Sequence, residues 1–346
     1  MTTIPTISTI SELLSLSDSQ YRIYDIGRKI DKISKEQFKK IEANQLPYPS
    51  PSQGHAFLAI SFWQKQSTQP YLWFVKLPLD ERGLLNSGAM SHFIAIIIEA
   101  LGSDLTVDPN EKQEELLKSN PYNFTPAQYK LASLNSKINL ELKQAPSNYY
   151  QHCLEYLSGA LSWQAWNSVG VQGITDFCVR LTENNNEKIL INALPHLPEQ
   201  VLSPLCGALE NEKLSVDIIT AILQQLELVD SLKNELMQAQ LLRALSSCCQ
   251  HPLVIAFISK LLMTSVESEE ILILLAGRCW NVFLDDKLLI NYLELLAKKN
   301  DQQLFSAIFK DLVAIPAIRP VLFQCMRSQS RSEILANAIG KLFNQA

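Results

Sequence analysis

The feature that most constrains the fold is a pattern of paired helical segments that recurs three times in the second half of the chain. In each block two apolar helical segments flank a short polar turn, and the second segments begin at Leu214, Leu253 and Leu288. The offsets of 39 and 35 residues are close to the helix-pair period of HEAT and armadillo arrays. Residues 301–327 resemble a further pair, and residues 330–345 an end cap. The pattern predicts an all-α HEAT-like helical-repeat region, an α-solenoid.

The first part of the chain has a different pattern, with two runs rich in aromatic and β-branched residues at 55–63 and 71–77. The polar residues 64–69 separate them, so we expect a long-looped hairpin. Both faces of the first run are apolar, which predicts a central strand covered on both sides. Residues 21–25 and 28–33 form a second candidate hairpin.

Helical patterns surround these strands. Capping-box patterns at Thr9 and Ser34 open two short helices, and a broad apolar stripe over residues 84–101 predicts a long helix lying on the sheet. The fold class that we expect is an α+β domain with a small antiparallel sheet over residues 1–144. An all-α repeat domain over residues 145–346 follows, so the chain is mostly α overall.

Composition and local sequence patterns indicate the cellular compartment of the protein. Hydrophobic content of 47% and charged content of 19% are typical of a folded, soluble chain. The longest apolar run, residues 93–98, is too short to span a membrane, and the N-terminus has no targeting pattern. The seven cysteines fit reduced, buried side chains. We therefore expect a cytoplasmic protein.

Charge is unevenly distributed along the chain. Residues 1–80 carry nine Lys/Arg against seven Asp/Glu, and the remainder carries 21 against 28. An acidic second part disfavours nucleic acid as its ligand, because a phosphate-tracking groove needs basic residues. The basic segment 28–40, which includes Arg28, Lys29 and Lys32, is interpreted as a solvated helix face; an acidic partner or a phosphate is the alternative.

A family resemblance is carried by four segments, residues 10–14, 19–28, 47–49 and 74–81. They resemble an uncharacterised bacterial family of domains of unknown function that spans about the whole chain. A Leu-Asp-Glu motif describes this family, and here it would be residues 79–81. The resemblance implies a bacterial cytoplasmic protein and transfers no activity, since none is known for the family.

Asp80, Glu81 and Arg82 follow a predicted strand and precede a predicted helix, a position where sites are often built. The two carboxylates could serve as an acid and a base. The favoured interpretation is structural: Asp80 caps the helix, Glu81 complements its positive end and Arg82 pairs with one of them.

Other chemistry is poorly supported. The five histidines form no paired-ligand spacing, and Cys248, Cys249 and His251 lack the second half of a zinc site. The segment that contains Gly170 and Gly173 lacks the Lys-Ser/Thr that a phosphate-binding loop requires. We therefore predict no catalytic, metal or cofactor residues and no cofactor.

Trp163 and Trp166 lie three apart on one predicted helix face, where they could form an exposed anchor or, more commonly, line a core. Helix-pair arrays offer surfaces suited to proteins or peptides. The favoured hypothesis is accordingly a non-catalytic interaction or adaptor protein with a protein partner. Two alternatives remain, an enzyme with a carboxylate site near Asp80 and Glu81 and an RNA- or DNA-associated protein using residues 28–40.

Overall fold

The chain divides into two compact units. In the computed structural model, the described residues are 7–64, 70–102, 105, 110–231, 234–264 and 268–343. The units are Met1–Pro126 with Ala314–Pro316, and Ala127–Val313 with Ala317–Ala346. The sequence-based boundary at residue 144 falls inside the second unit, after its first helix. The N-terminal residues 1–6 and most of the predicted loop 64–69 lie outside the described residues.

The first unit contains four helices and four strands among its described residues. In chain order they are α1 (Ile10–Leu16), β1 (Ser19–Asp25), β2 (Asp31–Ile33), α2 (Lys35–Glu42), β3 (His55–Gln64), β4 (Tyr71–Pro78), α3 (Ser87–Leu101) and α4 (Glu111–Lys118).

The four strands form one antiparallel sheet in the order β2-β1-β3-β4. Strand β3 lies between two partners, with Ile60 opposite Ile23 on one side and Trp73 on the other. Every β3 side chain from Leu58 to Phe62 is buried, so the centre of this strand is shielded from solvent on both faces. The predicted central strand and both predicted hairpins are confirmed, although β2 begins at Asp31 rather than at residue 28.

The short helices of this unit begin where the capping patterns place them. The Thr9 hydroxyl accepts a hydrogen bond from the Glu12 N–H (3.1 Å), and Glu12 accepts one in return from the Thr9 N–H (3.1 Å). The Ser34 hydroxyl caps α2 by accepting from the Gln37 N–H (3.1 Å). Each cap satisfies amides that have no partner inside the helix.

Helix α3 begins three residues later than predicted. Its cap is Asn86, whose side-chain oxygen accepts from the Ala89 N–H (2.9 Å). An isolated β-bridge between Leu79 and Leu85 holds the residues before Asn86 in a non-helical conformation, so they cannot join the helix. The helix packs its apolar side, including Phe93 and Ile97, into the core of the sheet.

The second unit is helical throughout its described residues. Its α-helices are α5 (Gln128–Glu141), α6 (Tyr150–Leu157), α7 (Val171–Cys178), α8 (Asn186–Ala193), α9 (Glu199–Leu209), α10 (Val216–Ser231), α11 (Glu235–Ala244), α12 (Pro252–Met263), α13 (Glu269–Gly277), α14 (Asp286–Lys298), α15 (Gln302–Ala314), α16 (Arg319–Arg327) and α17 (Glu333–Phe343). Short 3-10 helices lie at Trp163–Ser168, Leu194–His196, Ser246–Cys248 and Trp280–Leu284.

Most of these helices pack in two rows. One row runs α5, α7, α9, α11 and α13, and the other runs α6, α8, α10, α12 and α14, with each helix against the next of its own row. The predicted helix pairs correspond to α9 with α10, α11 with α12, α13 with α14, and α15 with α16, and the predicted end helix is α17. These helix assignments are confirmed, because the apolar period that encodes them is local.

A buried ion-pair ladder joins three helices of the first row. Glu210 follows α9, Arg243 lies on α11, and Arg278 follows α13, at intervals of 33 and 35 residues. The Glu210 carboxylate, 1% exposed, lies 2.7 Å from Arg243 Nη2 and 3.3 Å from Arg278 Nε. One carboxylate therefore links the C-terminal ends of α9, α11 and α13.

Candidate functional site

The structure assigns Asp80 to a tight turn. Its Oδ1 accepts hydrogen bonds from the backbone N–H groups of Arg82 (2.9 Å) and Leu84 (2.8 Å), and its Oδ2 lies 3.0 Å from the Arg82 guanidinium. The hydrogen bond from Leu84, followed by those from Arg82, holds the pKa of Asp80 below its usual value. The expectation that Asp80 caps α3 is wrong, because Asn86 does so. Glu81 is exposed beside this turn.

The basic residues before α2 are mostly enclosed. Arg28 is 4% exposed and Lys29 is 8% exposed. Arg28 Nε donates to the carbonyl of Pro51 (2.9 Å), and Lys29 Nζ lies 3.5 Å from Asp31. The interpretation of this segment as a solvated helix face is wrong for Arg28 and Lys29, which lie in the connection between β1 and β2. Lys32 is exposed, but it lies on β2.

The cysteines behave as small core residues. All seven are free, and Cys249, like most of them, is buried. His251 caps α12 by accepting from the Leu253 N–H (3.4 Å). Over the described ranges, no group of three or more His, Cys, Asp or Glu side chains could hold a metal ion.

Trp163 opens a 3-10 helix between α6 and α7, where two aromatic rings hold its indole. The indole stacks on the ring of His196, with centroids 5.4 Å apart and planes at 16°. It also meets Tyr156 edge to face at 5.5 Å, and the Tyr156 hydroxyl donates to the Trp163 carbonyl (3.0 Å). The ring is therefore half-buried but fixed.

Trp166 is 40% exposed and Tyr149 is 62% exposed. A Cβ added to Gly170 would lie 3.9 Å from Cδ1 of Tyr149, so this ring lies beside the end of the same connection. His152 Nε2 lies 2.8 Å from Ser168 Oγ. We define the aromatic surface as Tyr149, His152, Trp163, Trp166 and His196.

The connection that carries the two tryptophans is exposed and uncharged. Residues 156–175 contain no Asp, Glu, Lys or Arg, although about four would be expected at the chain's 19%. None of residues 158–172 is buried. Ordinary protein surfaces are rich in charge, whereas the centres of protein interfaces are depleted of charge and enriched in Trp and Tyr. The exposed stretch shares the absence of charge and the presence of Trp with the centres of such interfaces.

Sequence reasoning identified Trp163 and Trp166 but missed the other members of this surface. Tyr149, the N-cap of α6, and His152 are three residues apart, the spacing of neighbours on a helix surface, and the charge-free run beside them was a usable signal. His196 had no such signal, because it meets Trp163 only through the packing of a 3-10 helix 33 residues away.

The fold and the surface define a protein with a small antiparallel α+β unit and a helical unit that carries an uncharged aromatic surface. The chain belongs to the family described as Protein of unknown function (DUF3549), whose model matches residues 5–343. This finding confirms the resemblance to an uncharacterised family. The search of curated proteins and the search of solved structures found no match. Within the described part of the chain, no helix combines the length and hydropathy needed to cross a membrane.

Proposed function

We propose that this protein is a non-catalytic adaptor of the bacterial cytoplasm that binds a protein partner through the aromatic surface. The observation that carries the proposal is the exposed, charge-free stretch 158–172 with Trp163 and Trp166. Large aromatic side chains contribute most of the binding energy at many protein interfaces, and an unoccupied surface of this kind is otherwise unfavourable in water.

The second unit is, in this proposal, a HEAT-like α-solenoid. Two rows of successive helices and a helix-pair spacing of 35 to 39 residues support it. The Glu210 carboxylate, which pairs with both Arg243 and Arg278, adds a contact that links three successive helices of one row. Solenoids fix the spacing of their surface residues, so a binding surface on one is rigid before the partner arrives.

The chemistry of the aromatic surface favours an apolar, uncharged segment of the partner. No basic residue in 156–175 is available to neutralise a phosphate, which argues against nucleic acid at this surface. Trp163 is already ordered by His196 and Tyr156, so little side-chain entropy is lost when it is covered. Trp166, the more exposed ring, is the anchor that we expect to enter a pocket of the partner.

The proposal is tested by affinity purification of the full chain from its native cytoplasm with quantitative mass spectrometry. Trp166→Ala is compared with Phe323→Ala, since Phe323 is an aromatic residue of matched exposure, 43% against 40%, on α16. We expect one defined protein to be retained by the wild type and by Phe323→Ala and to be lost with Trp166→Ala. Equal retention by both variants would refute the aromatic surface as the binding site.

A further inference from the structure

A cleft between α14 and α16 in the second unit has the size and the lining of a small-molecule site. Its volume is about 440 Å³, within the range of roughly 300–1,000 Å³ that is typical of ligand pockets. Its lining includes Asp286 and Ile290 on α14 and Pro320, Phe323 and Arg327 on α16. The cleft shares no residue with the aromatic surface, so the proposed adaptor function does not use it.

Helical spacing places these residues on facing sides of the two helices. Phe323 and Arg327 are four residues apart and share one side of α16, as Asp286 and Ile290 do on α14. The Sγ atom of the buried Cys325 lies 3.6 Å from the Asp286 carbonyl oxygen. The start of α14 therefore lies against the C-terminal part of α16, and both helices contribute a charged side chain to the same cleft.

The two charged side chains have opposite signs and no protein partner. Within the described residues, neither the Asp286 carboxylate nor the Arg327 guanidinium makes a hydrogen bond or an ion pair. Asp286 does not cap α14. That role belongs to Asp285, whose Oδ1 accepts hydrogen bonds from the N–H groups of Lys287 (2.9 Å) and Leu288 (3.1 Å). Asp286 is partly exposed and Arg327 is exposed, so both charges are accessible to a ligand.

Phe323 adds an accessible aromatic surface to the same cleft. Its side chain is 43% exposed, and Ile290 and Pro320 extend the apolar part of the lining. An apolar group of a ligand would remove this surface from water, and an aromatic group could also pack against the Phe323 ring. A ligand that uses the whole cleft therefore has one positive group, one negative group and an apolar body.

We propose that the α14–α16 cleft binds a free α-amino acid with an aromatic side chain. The ammonium donates to the Asp286 carboxylate, and the ligand carboxylate accepts from the Arg327 guanidinium, whose planar fork suits both oxygens. The aromatic side chain lies on Phe323 and Ile290. Inside a protein chain an amino acid has neither charge, because both groups are consumed in peptide bonds. The ligand is therefore the free amino acid rather than a segment of a protein.

The test is calorimetric titration of the full chain with L-phenylalanine. Phenethylamine lacks only the carboxylate of this probe, and hydrocinnamate lacks only its ammonium, so the three compounds separate the two charged contacts while the aromatic ring is kept. Phenylalanine should bind, and each of the other two should bind about tenfold more weakly or less, because each loses one contact between charged groups.

Two variants assign these contacts to their residues. Asp286→Asn should weaken the binding of phenylalanine about tenfold or more but should not weaken that of hydrocinnamate, which has no ammonium for Asp286. Arg327→Gln should show the reverse pattern, with phenethylamine as the unaffected probe. Asp217→Asn is the matched control, because it removes an acidic side chain from the first turn of another helix, α10, and it should bind phenylalanine as the wild type does.

No binding of phenylalanine to the wild type at millimolar concentrations would overturn the proposal. Equal affinity for the three compounds would also overturn it, because the charges would then make no contact with the ligand. The same conclusion would follow if both Asp286→Asn and Arg327→Gln bound phenylalanine as tightly as Asp217→Asn.

Discussion

Arg243 and Glu210 are 33 residues apart in the sequence and form a two-point ion pair across consecutive helices of one row. Arg243 Nε donates to Oε2 of Glu210 (2.8 Å), and Nη2 donates to Oε1 (2.7 Å). Arg243 also lies over the ring of Tyr129, 5.0 Å from its centroid. Planar two-point pairs of this kind fix both position and orientation, so the contact sets how α11 packs against α9.

Removal of one partner of this ion pair should strongly destabilise the protein. Arg243→Met leaves the buried Glu210 carboxylate with only Arg278, and we expect a loss of about 3 kcal/mol in the free energy of unfolding by urea titration. Glu210→Gln/Arg243→Met should recover part of the loss, because no buried carboxylate is then left without its main partner, and Arg278, which also loses Glu210, is partly exposed. A loss below about 1 kcal/mol for the single variant would show that the pair does not organise the row.

The glycines provide a prediction with a matched control. A Cβ added to Gly173 would lie 2.6 Å from the Tyr149 carbonyl oxygen and 3.0 Å from Cys153 Cβ. Gly173→Ala must therefore push α7 away from α6, and we expect a loss of about 1–3 kcal/mol. Gly340→Ala, in α17 with no atom within 4 Å of the new Cβ, should instead be stabilising by about 0.5–1 kcal/mol. Thermal unfolding of both variants measures the contrast, and similar effects would contradict it.

The stability of the protein should depend on the ionisation of Glu42. Because burial raises the pKa of Glu42, the last residue of α2, from 4.5 to about 7 in the folded protein, its contribution is fully present below pH 4.5 and is lost as pH rises through 7. Relative to Glu42→Gln, the wild type should lose roughly 2–3 kcal/mol between pH 5 and pH 8. Urea unfolding of both proteins across this range tests whether the wild type loses stability as pH rises. Parallel pH profiles of the two proteins would contradict this prediction. Glu36→Gln, which removes an exposed carboxylate of the same helix, should follow the wild type.

The stacked pair of Trp163 and His196 gives a prediction about binding rather than folding. His196 is exposed, so His196→Ala should change the unfolding temperature little. It removes one of the two rings that hold Trp163 and leaves only Tyr156, so more of the ring's motion must be lost on binding, and affinity for the captured partner should fall several-fold. An unchanged affinity would show that the stack does not prepare Trp163 for binding. Leu253→Ala, which truncates an exposed apolar residue on α12, serves as the control.

Much of the fold could be predicted because its determinants are local. The apolar period predicts the helices α9 to α16 with approximate bounds, and the two apolar faces of residues 57–63 predict a central strand. The start of α3 could not be predicted in this way. Asp80 and Asn86 are both good caps by type, and only the bridge between Leu79 and Leu85 decides between them.

The features that sequence reasoning missed depend on contacts between distant segments. Arginine is a residue type usually found at the surface, but the Arg28 side chain lies against the Pro51 carbonyl. Glu42 continues the buried face of Phe38 at helical spacing, yet its role comes from the α1 amides that it meets in the folded unit. The pairing of Trp163 with His196 likewise has no local signature.

The adaptor account is tested most directly by site-specific photo-crosslinking in the native cytoplasm. A photoreactive phenylalanine analogue replaces Trp166 in one variant and Phe323 in another, and the full-length chain is then analysed for covalent adducts. The account predicts one discrete heavier species, containing a single partner protein, at position 166 and none at position 323. No adduct at 166, or the same adducts at both positions, would contradict it.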